Sequence, residues 1–222
     1  MRKIGLSLVL VGILGATSAV AEESGVFVGV QAGYGGANAK LEISPADFGE
    51  GQKINGMSGF RYGLLAGYKQ FFTSEFGARY YAMVDLGTDY SKEVKDDTGE
   101  KTKYKMTSYN ITANADALYN FLSNEALNFG AFAGLSLGYA HHKADFELVA
   151  GGDSTKFDGK LSGFDLGINF GFRANITTNH GVEFYSRFGL LQTKKEVKID
   201  EANFTLKAQQ PYQIGLRYTF SF

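Results

Sequence analysis

From Val26 to the C-terminus, apolar and polar side chains alternate over eight stretches, roughly 26–34, 60–72, 76–89, 107–121, 127–141, 161–175, 181–191 and 206–221. A period of two is the mark of β-strands, whose successive side chains point to opposite faces. The pattern is plainest in GYKQFFTSEFGARYYAMVDLG, residues 67–87, where two alternating runs meet at Thr73-Ser74-Glu75 and predict a hairpin. The connections also alternate. Those at 73–75, 122–126 and 176–180 are short, whereas those at 35–59, 90–106, 142–160 and 192–205 are long and polar. Short turns at one end and long loops at the other predict an all-β fold, an eight-stranded antiparallel up-and-down barrel with both chain ends on the short-turn side.

The two parities differ in a way that identifies the solvent on each. One carries Val26, Val28, Val30, Tyr109, Ile111, Leu135, Leu137, Phe164, Ile168, Phe172, Val182, Phe184, Leu216 and Phe220, with no Lys, Arg, Asp or Glu in any of the eight segments. The other carries every glycine of those segments, together with Arg61, Lys69, Arg79, Asp85, Asp116, Asp165, Arg173, Glu183, Arg187 and Arg217. A water-facing surface would be rich in Thr, Lys and Glu, because glycine weakens a strand and packs nothing. Glycine mixed with a few charges suits a crowded concave interior, and an eight-stranded barrel is just wide enough for side chains to fill. The greasy face is therefore expected to meet lipid, making this a transmembrane barrel. Phe72, Phe76, Phe121 and Phe172 near the short turns, and Tyr34, Tyr62 and Tyr139 toward the long loops, place aromatic rings at both predicted interfaces.

Charges in so narrow a lumen are costly unless paired. The ten are expected to form a network around Asp116 and Glu183. Counted from the short turns, Lys69, Arg79, Asp116, Arg173, Glu183, Arg187 and Arg217 fall in the lower half, and Arg61, Asp85 and Asp165 higher. Such a network would close the bore. A narrow channel for ions or small solutes is the alternative, although open aqueous lumens need about sixteen strands.

Composition sharpens this picture. Residues 1–21 read as a cleaved signal peptide, with Arg2 and Lys3, an apolar run from Ile4 to about Leu14, and Ala19-Val20-Ala21 as the cleavage site; residues 22–222 would form the barrel. Beyond residue 21 no stretch reaches the ~18 apolar residues of a spanning helix, whereas barrel strands cross with about 9–11. Removing Arg2 and Lys3 leaves 20 basic and 23 acidic residues, a charge of −3, which gives no electrostatic case for nucleic acid. The chain has no cysteine, so neither disulfides nor thiolate metal sites can form.

Specific stretches then suggest a family. Residues 67–87 resemble the signature hairpin of the Helicobacter outer membrane protein (Hop-type) family. ITANADALYNFLSNEALNFGAFAGLSLG (111–138), FDLGINFGFRANITTNHGVEFYSRFG (164–189) and the closing YQIGLRYTFSF resemble the barrel of the same family. Larger members carry a long adhesin domain after the first strand; only about 25 residues (35–59) occupy that place here, so adhesin activity is not implied. The resemblance implies an outer-membrane location among lipid and lipopolysaccharide, with the loops free to meet a surface or host ligand. Tyr218, Phe220 and terminal Phe222 resemble the signal read by the outer-membrane assembly machinery, with Arg217 where that signal usually has glycine.

Candidate chemistry is sparse. His141 and His142 lie at the outer end of segment five, where barrel enzymes that modify lipid or cleave protein place catalytic groups. Adjacent strand residues face opposite ways, so the two cannot share a site. His180 is at the other end. No Ser/His/acid signature, metal cluster or cofactor motif is present, and no catalysis is expected. GVQAGYGG (29–36) has no helix after it and is not a nucleotide loop. SKEVKDDTGEKTK (91–103) reads as a solvated hairpin tip. EANFT (201–205) matches the acidic acceptor pattern of Campylobacter-type N-glycosylation and makes Asn203 the candidate glycan site.

Overall fold

The computed structural model describes residues 22–44, 52–95, 101–123, 127–150, 153–176, 179–199 and 202–222. The expected signal peptide (1–21), residues 124–126 and 177–178 of the expected short turns, and residues 96–100 of the expected 91–103 tip lie outside them. The strands are β1 (Gly25–Ser44), β2 (Gln52–Phe71), β3 (Phe76–Lys95), β4 (Lys101–Ser123), β5 (Leu127–Ala150), β6 (Asp153–Ile176), β7 (His180–Gly189), β8 (Thr193–Ile199), β9 (Ala202–Gln209) and β10 (Tyr212–Ser221).

Eight of them close a ring. β1 to β7 pair antiparallel in sequence order, β7 pairs with β10, and β10 returns to β1 with Val28 opposite Phe220 and Tyr34 opposite Ile214. Closure leaves no strand edge in this ring, which is what a bilayer demands of a sheet. The first short turn is fixed by Thr73, whose Oγ1 accepts from the Phe76 amide at 2.9 Å while the Phe72 amide donates to the Phe76 carbonyl at 2.9 Å.

Three features depart from the alternation in the sequence. First, much of the expected loops at 35–59, 90–106, 142–160 and 192–205 is strand: β5 and β6 run for 24 residues each, more than twice what a bilayer requires. Once a segment leaves lipid it no longer needs one greasy face, so its polarity reads as loop although its backbone stays paired. Second, the last stretch is two strands. Pro211 has no amide to donate, and the chain breaks at Gln210-Pro211, leaving β9 paired with the upper part of β1 and β10 with the lower part. Third, bulges toward the long-strand end reverse the parity of β2 and β3. β1 runs Ala37 to Ala39 while β2 runs Met57 to Ile54, with Gly56 at φ 74°; β3 is irregular between Gly87 and Tyr90.

These bulges mark where the barrel turns from inside-out to ordinary. Toward the short turns, large apolar side chains stand outward, such as Leu64 at 66 % exposure and Leu135 at 58 %, while charged groups are buried. Toward the long-strand end Ala37, Ile54, Met57, Tyr90 and Met106 form a small buried apolar cluster, and Lys40 and Lys53 stand outside.

Candidate functional site: the charged lumen

The wall supplies the site by parity. β2, β3, β4, β6, β7 and β10 each turn alternate residues inward, and all ten charged residues predicted for the lumen lie there, none more than 7 % exposed. They divide into three groups.

Nearest the short turns, Lys69 Nζ and Arg173 Nη2 both reach Glu22 Oε1, at 2.9 and 2.5 Å, and Asn120 donates to Glu22 Oε2 at 3.3 Å. Glu22 precedes the first strand, so no alternation pointed to it. Burial alone would raise its carboxyl, but Arg173 and Lys69 outweigh burial and hold it below the ordinary carboxylate value.

In the middle, Arg79 Nε donates to Asp116 Oδ2 at 2.9 Å and its Nη1 donates to Glu183 Oε1. Arg217 Nη1 donates to Glu183 Oε2 at 3.2 Å and its Nη2 to Gln31 Oε1 at 3.0 Å. The guanidinium planes lie among rings: Arg79 is 4.4 Å from the Phe132 centroid, and Arg217 is 5.0 Å from Tyr185 and 5.2 Å from Tyr81. These inward aromatics were not predicted as part of the site. Phe132, on the outwardly apolar β5, and Tyr81 and Tyr185 share the inward parity of the charged set, but carry no charge to mark them.

Nearest the long-strand end, Arg61 pairs with Asp85 and donates to Tyr90 Oη at 2.7 Å, and Asp85 also accepts from Gln31 at 2.8 Å. Arg187 Nη2 reaches Asp165 Oδ2 at 2.8 Å. Arg187 was expected in the lower half; strand stagger and its long side chain put its charge with Asp165 instead. Gln210, at the Pro211 break, accepts from Asn110 at 2.8 Å, so the kink delivers an amide into this group.

The predicted ten hold six bases and four acids, and Glu22 adds a fifth acid. Glycine makes room for these long side chains. At Gly134 a Cβ would be driven into the Ala115 carbonyl oxygen and the Asp116 carboxylate. Two internal voids beside the network measure about 10 Å³ each, room for one water molecule at most.

The histidines are separated. His141 faces outward, stacks on Tyr109 with centroids 4.7 Å apart, and has Nδ1 2.5 Å from Ser162 Oγ, while His142 is buried in the lumen. His180 bonds Tyr218 Oη at 2.7 Å at the short-turn end. Among the described residues no carboxylate joins His141 and Ser162, and no cluster of three His, Asp or Glu could hold a metal. Asn203 is exposed within β9, opposite Lys198 and Ser44.

The outer face completes the geometry. Phe72, Phe76, Phe121, Phe129 and Phe172 crowd the short-turn end, with Phe72–Phe76 and Phe121–Phe129 centroids both 6.1 Å apart. Tyr34–Phe60 at 5.6 Å and Tyr139–Phe164 at 6.3 Å form the second belt. Phe72 and Tyr62 are ten residues apart, roughly 34 Å along the strand and roughly 25 Å along the barrel axis after a 35–45° tilt, the height of an outer-membrane apolar band.

A family model described as Helicobacter outer membrane protein matches residues 63–222. The chain belongs to that family. Membership places this Helicobacter-family barrel in the outer membrane of a Gram-negative bacterium, in accord with its inside-out wall. The match begins within β2, so β1, which closes the ring, lies before it. Among solved structures, the outer membrane protein OprG from Pseudomonas aeruginosa is 14 % identical with a TM-score of 0.51, covering 91 % of this chain and 98 % of its own. Neisserial surface protein A is 17 % identical at a TM-score of 0.44, covering 90 % and 100 %. Ail of Yersinia pestis is 16 % identical at 0.36, covering 87 % and 98 %. The likeness to OprG is one of fold alone. No curated protein sequence matches the chain.

Proposed function

We propose that this protein is a closed, non-catalytic outer-membrane barrel. Its charged lumen seals the bore, and its tall long-strand end faces the exterior as a surface-interaction platform. The observation that carries this reading is Glu183, which joins Arg79 and Arg217 across the lumen, with both guanidinium groups beside aromatic rings. A permeation path would have to part those charges in a space with little free volume, and buried ions separated from their partners cost several kcal/mol. Glu22 seals the short-turn end in the same way. Terminal Phe222, 74 % exposed, is available to the assembly machinery. Asn203 is the proposed glycan acceptor. Because it lies in a paired strand, attachment would precede folding, and a mass shift on the purified protein tests it.

Planar-bilayer recording of the refolded protein decides the main point. The wild type is expected to conduct weakly or not at all, and Glu22→Gln to increase conductance from the short-turn side. Large, steady wild-type conductance unaffected by Glu22→Gln would favour a narrow channel and defeat the sealed-bore reading.

A further inference from the structure

Above the Tyr34–Tyr62 belt, four lysines stand directly opposite one another across four neighbouring strands. Lys53 of β2 pairs in register with Lys40 of β1, Lys40 with Lys207 of β9, and Lys207 with Lys194 of β8. Residues in such a row share a face, and strands about 4.8 Å apart make it roughly 14 Å long. Like charges directly opposite destabilise a sheet. The extension holds a single pair of this kind elsewhere on its described outer face, Lys143 opposite Lys160 on β5 and β6, but the lysine row runs across four strands. The lysine row is also made by a specific device. Without the Gly56 bulge, Ile54 would oppose Lys40 and Lys53 would turn inward.

The row is under-neutralised. Glu42 bridges Lys40 and Lys207 at 2.7 and 2.6 Å, and Glu196 lies two residues from Lys194; among the described residues no carboxylate pairs with Lys53 or Lys194. Beside the row lies a groove of about 350 Å³ lined by Lys40, Lys53, Lys207 and the amides of Asn38, Asn55 and Gln209. Ammonium groups flanked by neutral donors, in a space this size, suit a phosphate carried on a sugar better than a bare anion. Lys40 lies six residues beyond Tyr34, roughly 20 Å along the strand and roughly 15 Å above the belt after tilt. The row faces sideways from the wall, toward neighbouring outer-leaflet molecules and not toward the tip that a free polymer would meet first.

We infer that Lys53, Lys40, Lys207 and Lys194 bind the phosphorylated sugars of adjacent lipopolysaccharide and so fix the height of the barrel in the outer leaflet. The inference rests on the outward orientation of the long-strand end proposed above.

The test uses the refolded full barrel and immobilised rough lipopolysaccharide, either intact or stripped of phosphate with hydrofluoric acid. The wild type should bind the intact form more tightly, with binding weakened by salt. Each Lys→Gln change in the row should weaken binding about fivefold. Glu42→Gln should strengthen it. The quadruple variant K40Q/K53Q/K194Q/K207Q should melt no lower than wild type, because cross-strand repulsion has been removed; a lower melt would mark the row as structural and overturn the inference. Equal binding of stripped lipopolysaccharide, or equal binding by the quadruple variant, would also overturn it. A free sulfated oligosaccharide held as tightly as intact lipopolysaccharide would reassign the row to soluble polyanions and defeat the lipid assignment. These outcomes leave the orientation standing, since surface labelling of cells tests that separately.

Discussion

Glu183 accepts from two arginines at once, through one oxygen from Arg79 and through the other from Arg217, and both guanidinium groups are buried. Glu183→Gln keeps the size of the side chain and removes its charge, leaving Asp116 as the one carboxylate bonded to Arg79. Breaking a buried pair from one side costs about 3–5 kcal/mol, so the variant should unfold at a clearly lower temperature than wild type in the same detergent. Identical melting curves would show that the ions are well enough solvated to need no partner. The ten charged residues were legible because strict alternation put them on one face. Their pairing was not, because partners such as Arg79 and Glu183 are 104 positions apart and meet only when the ring closes. Glu22 was illegible for another reason: it lies in no strand and has no parity to read.

At the scale of the strand, environment decides the pattern. Leu135 and Ile168 are paired on β5 and β6 and face outward midway between the aromatic belts; Tyr139 is one belt residue on the same face of β5. Leu135→Arg should cost roughly 2–4 kcal/mol and Tyr139→Arg roughly 0–1, by equilibrium unfolding in lipid vesicles. A flat cost along β5 would mean that this face does not cross a bilayer. The lower halves of the strands were legible because lipid on one side and a small lumen on the other impose opposite chemistry on alternate residues. The upper halves were not, for with water outside both faces tolerate polar groups. Antiparallel hydrogen bonding continues there regardless of what the side chains are. Bulges add a second difficulty. Around Gly56 and between Gly87 and Tyr90 the inward parity changes, so a single parity carried along β2 or β3 misplaces Lys53 and Tyr90.

For the whole molecule, orientation is the consequence most directly checked, and the absence of cysteine makes the check clean. Lys198 near the tip of β8 is exposed, and Ser74 in the first short turn is half-buried. A membrane-impermeant maleimide applied to intact cells should label Lys198→Cys and spare Ser74→Cys, with both labelled after lysis. Labelling of Ser74→Cys alone would invert the barrel and remove the basis for an exterior platform. The sequence by itself determined the class of fold, the number of wall strands and which face meets lipid, because each follows from a local period of two read against the solvents available. Only the tertiary structure decided how far the wall rises beyond the membrane, how Glu22 and Glu183 divide the lumen cations, and that four lysines from distant segments stand in one row. Those outcomes depend on register. Register is set by ring closure, by the Pro211 break and by the bulges, which bring together residues that no local pattern relates.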